Sequence, residues 1–361
     1  MSLISQTRSR VAVAAVAATG LLGATASLAS ADSGRVFTET NADGGNSVLA
    51  FDRAADGHLT AAGSFATGGR GSGEGLGAQG PVALAGHTVY AANAGSGDVT
   101  ALRVTRHGLE PIGRVPAGDH PISITVHGAL AYALDDSGNG QIRGFRVRAD
   151  GSLNPIARSA RPLSPDASAP AEVSFSPDGS TLAVSEKNTN RIDTYRVHPD
   201  GRVGGPVVND SVGATPFGFA FDPAGHLIVS EAGGSTATSY TVAADGTIGP
   251  ITSLVPTLQG AACWVAVTPD GRFAYTGNGA GTVTGFSVAA DGSLTRLNAD
   301  GLSATSPGAN EIAISPDGRN LYVSNPGSDA VTAFTIANDG SLTALPAVTG
   351  LPAGLQGIAA S

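Results

Sequence analysis

One cysteine, one lysine, one tryptophan and a single methionine at the start: the chain is poor in residues that staple folds or ligate metals. A lone Cys263 excludes an intramolecular disulfide and, with scattered histidines, a zinc site, so the fold must rest on burial and β hydrogen bonding. Only 14% of the residues are charged and no Lys/Arg cluster exists. Long apolar runs are absent except for one, Val11 to Leu28, preceded by Arg8 and Arg10 and followed by Ala29-Ser30-Ala31. That order predicts a secretory signal peptide over residues 1–31, a mature chain from Asp32, a secreted or extracytoplasmic location and no membrane span after cleavage. A permanent anchor is the competing reading, and the A-x-A site favours cleavage. Cleavage leaves 18 basic against 29 acidic side chains, a formal charge of −11 that repels a phosphate backbone and excludes nucleic acid as a partner.

What the chain has instead is glycine, 51 residues of it, set in repeats. Segments 171–186, 217–231, 263–278 and 310–325 align, with turn glycines Gly179, Gly225, Gly271 and Gly318 spaced by 46, 46 and 47 residues. A period near 45 residues signals a propeller. A second glycine turn recurs at 57, 108, 151, 201, 246, 292 and 340, so there are seven units. Each reads as two hairpins, strands A–B and C–D. The expected fold is an all-β, seven-bladed propeller of four-stranded antiparallel blades in one domain over 32–361. Blade 1 lacks strand A, and residues 354–361 copy 308–315 at an offset of 46, so the C-terminus should pair into blade 1 and close the ring.

Both glycine turns of each blade fall on one face, and the B-to-C and D-to-A connections on the other. His58, His87, His107, His127, His198 and His226 belong to the first face, as solvated turn residues. His120 alone lies at a D-to-A junction, at the mouth of the central channel. Entering strand A on this second face are His120, Glu172, Phe217, Cys263, Trp264, Asn310, Glu311 and Gln356. Leaving strand B are Asn93, Asp135, Glu186, Lys187, Glu231, Asn278 and Asn325. The Asn, Asp and Glu either tie down turn backbones or form an acidic ring for a cation, sugar or basic peptide. Trp264 either stacks on a ligand or packs between blades. Glu172 and Glu186, near Lys187, would exchange protons if buried together.

The turns ADGSLT (290–295) and NDGSLT (338–343), with SPDG at 176–179 and 315–318, resemble the lactonase-type seven-bladed propellers. That family includes 6-phosphogluconolactonases and carboxymuconate lactonising enzymes, and the resemblance covers the whole mature chain. YVSN (322–325) is also similar to the YVTN-type surface-layer propellers. The resemblance implies hydrolysis of a lactone at the channel mouth, with arginine holding the substrate's anionic group and His or Glu moving protons. At the matching positions this chain departs from the pattern. Pro170-Ala171-Glu172 stands for Pro-Arg-His, Glu186-Lys187 for Asn-Glu, and His120-Pro121-Ile122 for His-Pro-His. Phe217-Gly218 occupies the place of a charged pair.

The expected catalytic set is therefore His120, Glu172, Glu186 and Lys187, with no metal or other cofactor. The expected ligand contacts are Asn93, Asp135, Phe217, Glu231, Trp264, Asn278, Asn310, Glu311, Asn325 and Gln356. Two functions stay open: a lactonase-like enzyme, or a non-catalytic propeller binding a small polar ligand, glycan or cell-surface protein, in either case as a monomer. Other signals are weaker. Asp135 to Gly140 begins like a calcium loop but places Arg146 where the bidentate glutamate belongs. The glycine-rich stretch 68–80 lacks Gly-Lys-Ser/Thr and precedes a strand, so it reads as a flexible lid or an ordinary connection. No G-x-S-x-G elbow occurs, and Asn209-Asp210-Ser211 is a formal glycosylation sequon.

Overall fold

The computed structural model describes residues 34–164 and 167–361; the expected signal peptide at 1–31 lies outside the described residues. Seven small antiparallel sheets follow one another along the chain, and they form a seven-bladed β-propeller. In blade 2 the strands are Val82–Ala85, Thr88–Asn93, Asp98–Thr105 and Gly108–Pro116, running from the axis outward. Blades 3 and 6 depart from the four-strand expectation. Their outer strand is split into Leu153–Pro155 and Arg161–Pro162, and into Leu294–Arg296 and Ala304–Thr305, each pair lying along one third strand. No helix among the described residues is long and apolar enough to cross a membrane.

The ring closes as the repeat offset requires. Gln356–Ala360 forms the innermost strand of blade 1, with Val36 opposite Ala360 and Glu39 opposite Gln356. Leu355 and Ile358 carry this strand into a cluster with Phe51 and with Tyr322 and Val331 of blade 7. Burying such side chains contributes roughly 1.5–3 kcal/mol each. Thr38 Oγ1 donates to the Gly357 carbonyl at 2.6 Å, and the Ser361 amide donates to the Arg35 carbonyl at 2.8 Å.

Neighbouring blades are stitched by one recurrent bond. Tyr90, Tyr132, Tyr275 and Tyr322 on the second strands donate their hydroxyls to Gly151, Gly201, Gly340 and Gly57 of the next blade's C–D turn, at 2.8, 2.8, 2.8 and 3.1 Å. In blade 4 it is Thr194, on the third strand, whose hydroxyl donates to Gly246 of the next blade's turn. The turn glycine is needed there: Gly201 has φ +76° and a Cβ would sit 2.6 Å from Leu130. Each buried hydroxyl thus finds an acceptor while its ring fills the space between blades.

Candidate functional site

The glycine-rich connection from blade 1 to blade 2 is neither a flexible lid nor an ordinary loop. It folds over the axis and plugs the channel with Leu76, Ala78 and Gln79, all buried. Gln79 is its anchor. Its amide donates to the Ala171 carbonyl at 2.9 Å, and its side-chain nitrogen to Phe219 and Val265 carbonyls at 3.2 and 2.9 Å and to Glu172 Oε1 at 3.3 Å. Its side-chain oxygen accepts from the Val265 amide at 2.9 Å. Gly80 N–H donates to Glu311 Oε1 at 2.9 Å, Leu76 N–H to Gln356 Oε1 at 3.3 Å, and Trp264 Nε1 to the Ala78 carbonyl at 3.0 Å. This also explains Phe217-Gly218: a Cβ on Gly218 would stand 2.1 Å from the Gln79 side-chain oxygen.

The plug corrects the reading of Glu172 and Glu311 as open mouth residues. Both are buried beneath it, and Glu172 Oε2 accepts from the Phe219 amide at 2.6 Å. Burial first, and the charge of Glu311 second, push the Glu172 carboxyl well above the usual carboxylate range. Burial pushes Glu311 up to about 8. Glu39, opposite Gln356, is raised by burial and also feels Glu311. Among the described residues, Glu39 Oε1 and Glu311 Oε2 find no hydrogen-bond partner.

The residues closing strand B form a ring, but not an open one. Glu39, Asn93, Asp135, Glu186, Glu231, Asn278 and Asn325 are each 0% exposed. Asn93 donates to Asp98 and Thr100, Asn278 to Thr282 and Thr284, and Asn325 to Thr332, while Thr236 donates to Glu231 at 2.6 Å. These side chains hold the start of strand C, which is the turn-binding alternative rather than a ligand ring. Glu186 is not joined to Glu172. It accepts from Ser164 and Thr189, and its charge, after burial, raises Asp193 to about 7. Asn209 of the sequon donates to three backbone carbonyls within and beside its strand.

What remains partly accessible at the mouth is a smaller group, His120, Asp136, Lys187 and Asn310, held by buried neighbours. Asp135 accepts the amides of Asp119, His120 and Ser137 at 3.1, 2.9 and 3.1 Å, and so fixes the loop that carries His120. Burial opposes the ionised Asp135, but these bonds and that from Gln141 outweigh it and lower its pKa. His120 Nδ1 lies 2.6 Å from Asp136 Oδ1, with side-chain exposures of 35% and 29%. The bond to Asp136 raises the His120 pKa above 6.5, against its partial burial.

Lys187 is half-buried; its Nζ donates to the Gly77 carbonyl of the plug and stands 5.0 Å from the centre of the Phe217 ring. Burial lowers its pKa, and the charges of Asp136 and Cys263 oppose that. Phe217 meets Trp264 edge-on at 5.5 Å, so the tryptophan packs between blades with its N–H on the plug. Asn310 is half-buried, reaching Gln356 Oε1 at 3.5 Å.

The structure therefore brings together His120, Lys187, Phe217 and Trp264 of the expected set, and adds two residues the sequence did not single out, Asp136 and Gln79. Asp136 was visible only as the second half of an Asp-Asp pair in a calcium-like loop. Gln79 was the one amide side chain in a glycine-rich stretch.

The family model "Lactonase, 7-bladed beta-propeller" matches residues 139–263 and 266–349, more than half of the chain. No curated protein matches it. Among solved structures, a Lactobacillus plantarum protein superposes with a TM-score of 0.74 at 19% identity, over 91% of this chain and all of that one. A candidate 6-phosphogluconolactonase of Bacteroides fragilis gives 0.72 at 18%, covering 92% and 99%. The periplasmic gluconolactonase of Pseudomonas aeruginosa gives 0.67 at 23%, covering 90% and 99%. At such identities these structures speak to the fold, and the matched segments to the family: the chain belongs to the seven-bladed β-propeller lactonases.

Proposed function

We propose that the protein hydrolyses a lactone at the channel mouth, outside the cytoplasm, after residues 1–31 have directed its export. The observation that carries this reading is the His120–Asp136 pair, 2.6 Å apart and partly exposed, with Asp136 within electrostatic reach of the chain's one lysine. Asp136 accepts the hydrogen bond of Nδ1–H, which fixes the tautomer and leaves Nε2 free as the general base. His120 Nε2 removes a proton from water as its oxygen bonds to the lactone carbonyl carbon. The oxyanion that forms is held by the Lys187 ammonium. The ring C–O bond then breaks, the leaving alkoxide takes the proton back from His120, and the hydroxy acid departs, giving its carboxyl proton to solvent. Lys187 acts here as a point charge on the oxyanion, a different task from that of the family pattern's arginine, which holds the substrate's own anionic group as a bidentate fork. Glu172 and Glu186 take no proton-transfer role, because the plug and blade 5 occupy the oxygens of the first, and Ser164 and Thr189 those of the second.

The test is acid release from a panel of sugar, phosphosugar and aliphatic lactones, with His120→Ala and Lys187→Met alongside. Turnover lost in both variants supports the assignment; turnover that both retain overturns it. The sealed axis favours a second reading, a non-catalytic propeller binding a small polar ligand on this face, which absence of turnover on every lactone would support.

A further inference from the structure

The chain's only lysine, only tryptophan and only cysteine lie around one short stretch of backbone. Lys187 Nζ donates to the carbonyl of Gly77, Trp264 Nε1 to that of Ala78, and Cys263 is buried next to Trp264 within electrostatic reach of Lys187. That stretch has no regular structure of its own. What holds it is the following residue, Gln79, whose backbone and side chain engage blades 4, 5 and 6 through Ala171, Glu172, Phe219 and Val265. Gly80 adds blade 7 through Glu311, and its carbonyl accepts from the Ile124 amide of blade 3 at 2.7 Å. A side chain gripped from three blades cannot shift without breaking several buried bonds. The carbonyl two residues before it is therefore fixed relative to those blades.

We infer that Gln79 is a positioning residue: by locking the plug across blades 4 to 6 it sets the Gly77 carbonyl that holds the Lys187 ammonium at the mouth. For its catalytic consequence this rests on the proposed lactonase reading; for the placement of Lys187 it does not. A flexible four-carbon side chain loses much rotamer freedom when held in one place. Gly77 on one side and the Phe217 face on the other restrict Lys187 to a position within electrostatic reach of Asp136. Free of the plug, the same ammonium would be fully hydrated and would spend little time at the oxyanion position.

The experiment uses two reporters that each occur once. In the purified protein, Lys187 is acetylated with an N-hydroxysuccinimide ester over a pH series, and its peptide is quantified by mass spectrometry apart from the α-amino group. Trp264 emission reports the plug. In Gln79→Ala the emission shifts to the red and the labelling midpoint of Lys187 rises toward 10.5, the value of a hydrated lysine. Where a lactone is turned over, kcat falls while KM changes little. Trp264→Phe removes one bond to the plug and should move the labelling midpoint the same way by less, which decides the matter if Gln79→Ala does not fold. An unchanged labelling midpoint in a folded Gln79→Ala protein, or in Trp264→Phe if the first variant does not fold, overturns the inference. A raised midpoint in a protein with no lactonase activity leaves the positioning role standing and removes only the proposed reaction.

Discussion

Glu311 gives the most quantitative consequence of the plugged axis. Its carboxyl accepts from Gly80, is 4% exposed, and has its pKa raised from 4.5 to about 8 by burial. Below pH 4.5 the group is protonated folded or unfolded, and it adds no pH dependence. Between 4.5 and about 8 the unfolded chain has released the proton while the folded chain keeps it, so stability falls as pH rises through that window. At 1.36 kcal/mol per pH unit, the interval amounts to about 5 kcal/mol. Glu311→Gln keeps an oxygen for Gly80 and carries no charge at any pH. Its stability should match the parent near pH 4.5 and exceed it by about 5 kcal/mol at pH 8. Urea unfolding followed by Trp264 fluorescence at the two pH values measures this. Equal stabilities at both values would refute the reasoning, since the carboxylate would then be ionising in the fold without cost.

Other consequences follow from single contacts. Gly218→Ala should expel Gln79 from the axis, because its Cβ would lie 2.1 Å from the side-chain oxygen, and Trp264 emission should then shift to the red. Tyr132→Phe leaves the Gly201 carbonyl without its 2.8 Å donor and should cost about 1–3 kcal/mol in chemical denaturation. Deleting residues 354–361 removes the innermost strand of blade 1 and the buried Leu355 and Ile358; the product should be aggregation-prone by light scattering, since it exposes a sheet edge. If His120 is the base, lactone turnover should rise with pH through a pKa above 6.5, and Asp136→Asn should lower that midpoint, read from the pH dependence of kcat/KM.

The fold was legible because repetition states each signal six or seven times over. The Asp-Gly turns and the offset of 46 residues at the C-terminus fix blade number and closure, and both depend on local backbone chemistry. The split outer strands of blades 3 and 6 were not legible, since an edge strand carries little hydrophobic patterning to mark its interruption.

The site was half legible. Position in the repeat assigns His120, Lys187 and Trp264 to one face. It cannot tell an open ring from a buried one, so Asn93, Asn278 and Asn325 looked available although each is consumed within its blade. Nor could it foresee Gln79. Residues 68–80 break the repeat, and their path across the axis is set by contacts with five blades far away in the chain. The departures at Ala171-Glu172 and Gly218 acquire a structural sense only with that path known. Ala171 offers its carbonyl to Gln79, and Gly218 leaves it room.

The most direct test of the account is lactone hydrolysis by the purified protein compared with His120→Ala at the same pH. The purified protein should turn over at least one lactone measurably, with the rate falling by about 10²–10⁴-fold when the base is removed. Turnover that His120→Ala leaves intact, or none above the uncatalysed rate on any lactone, would contradict it.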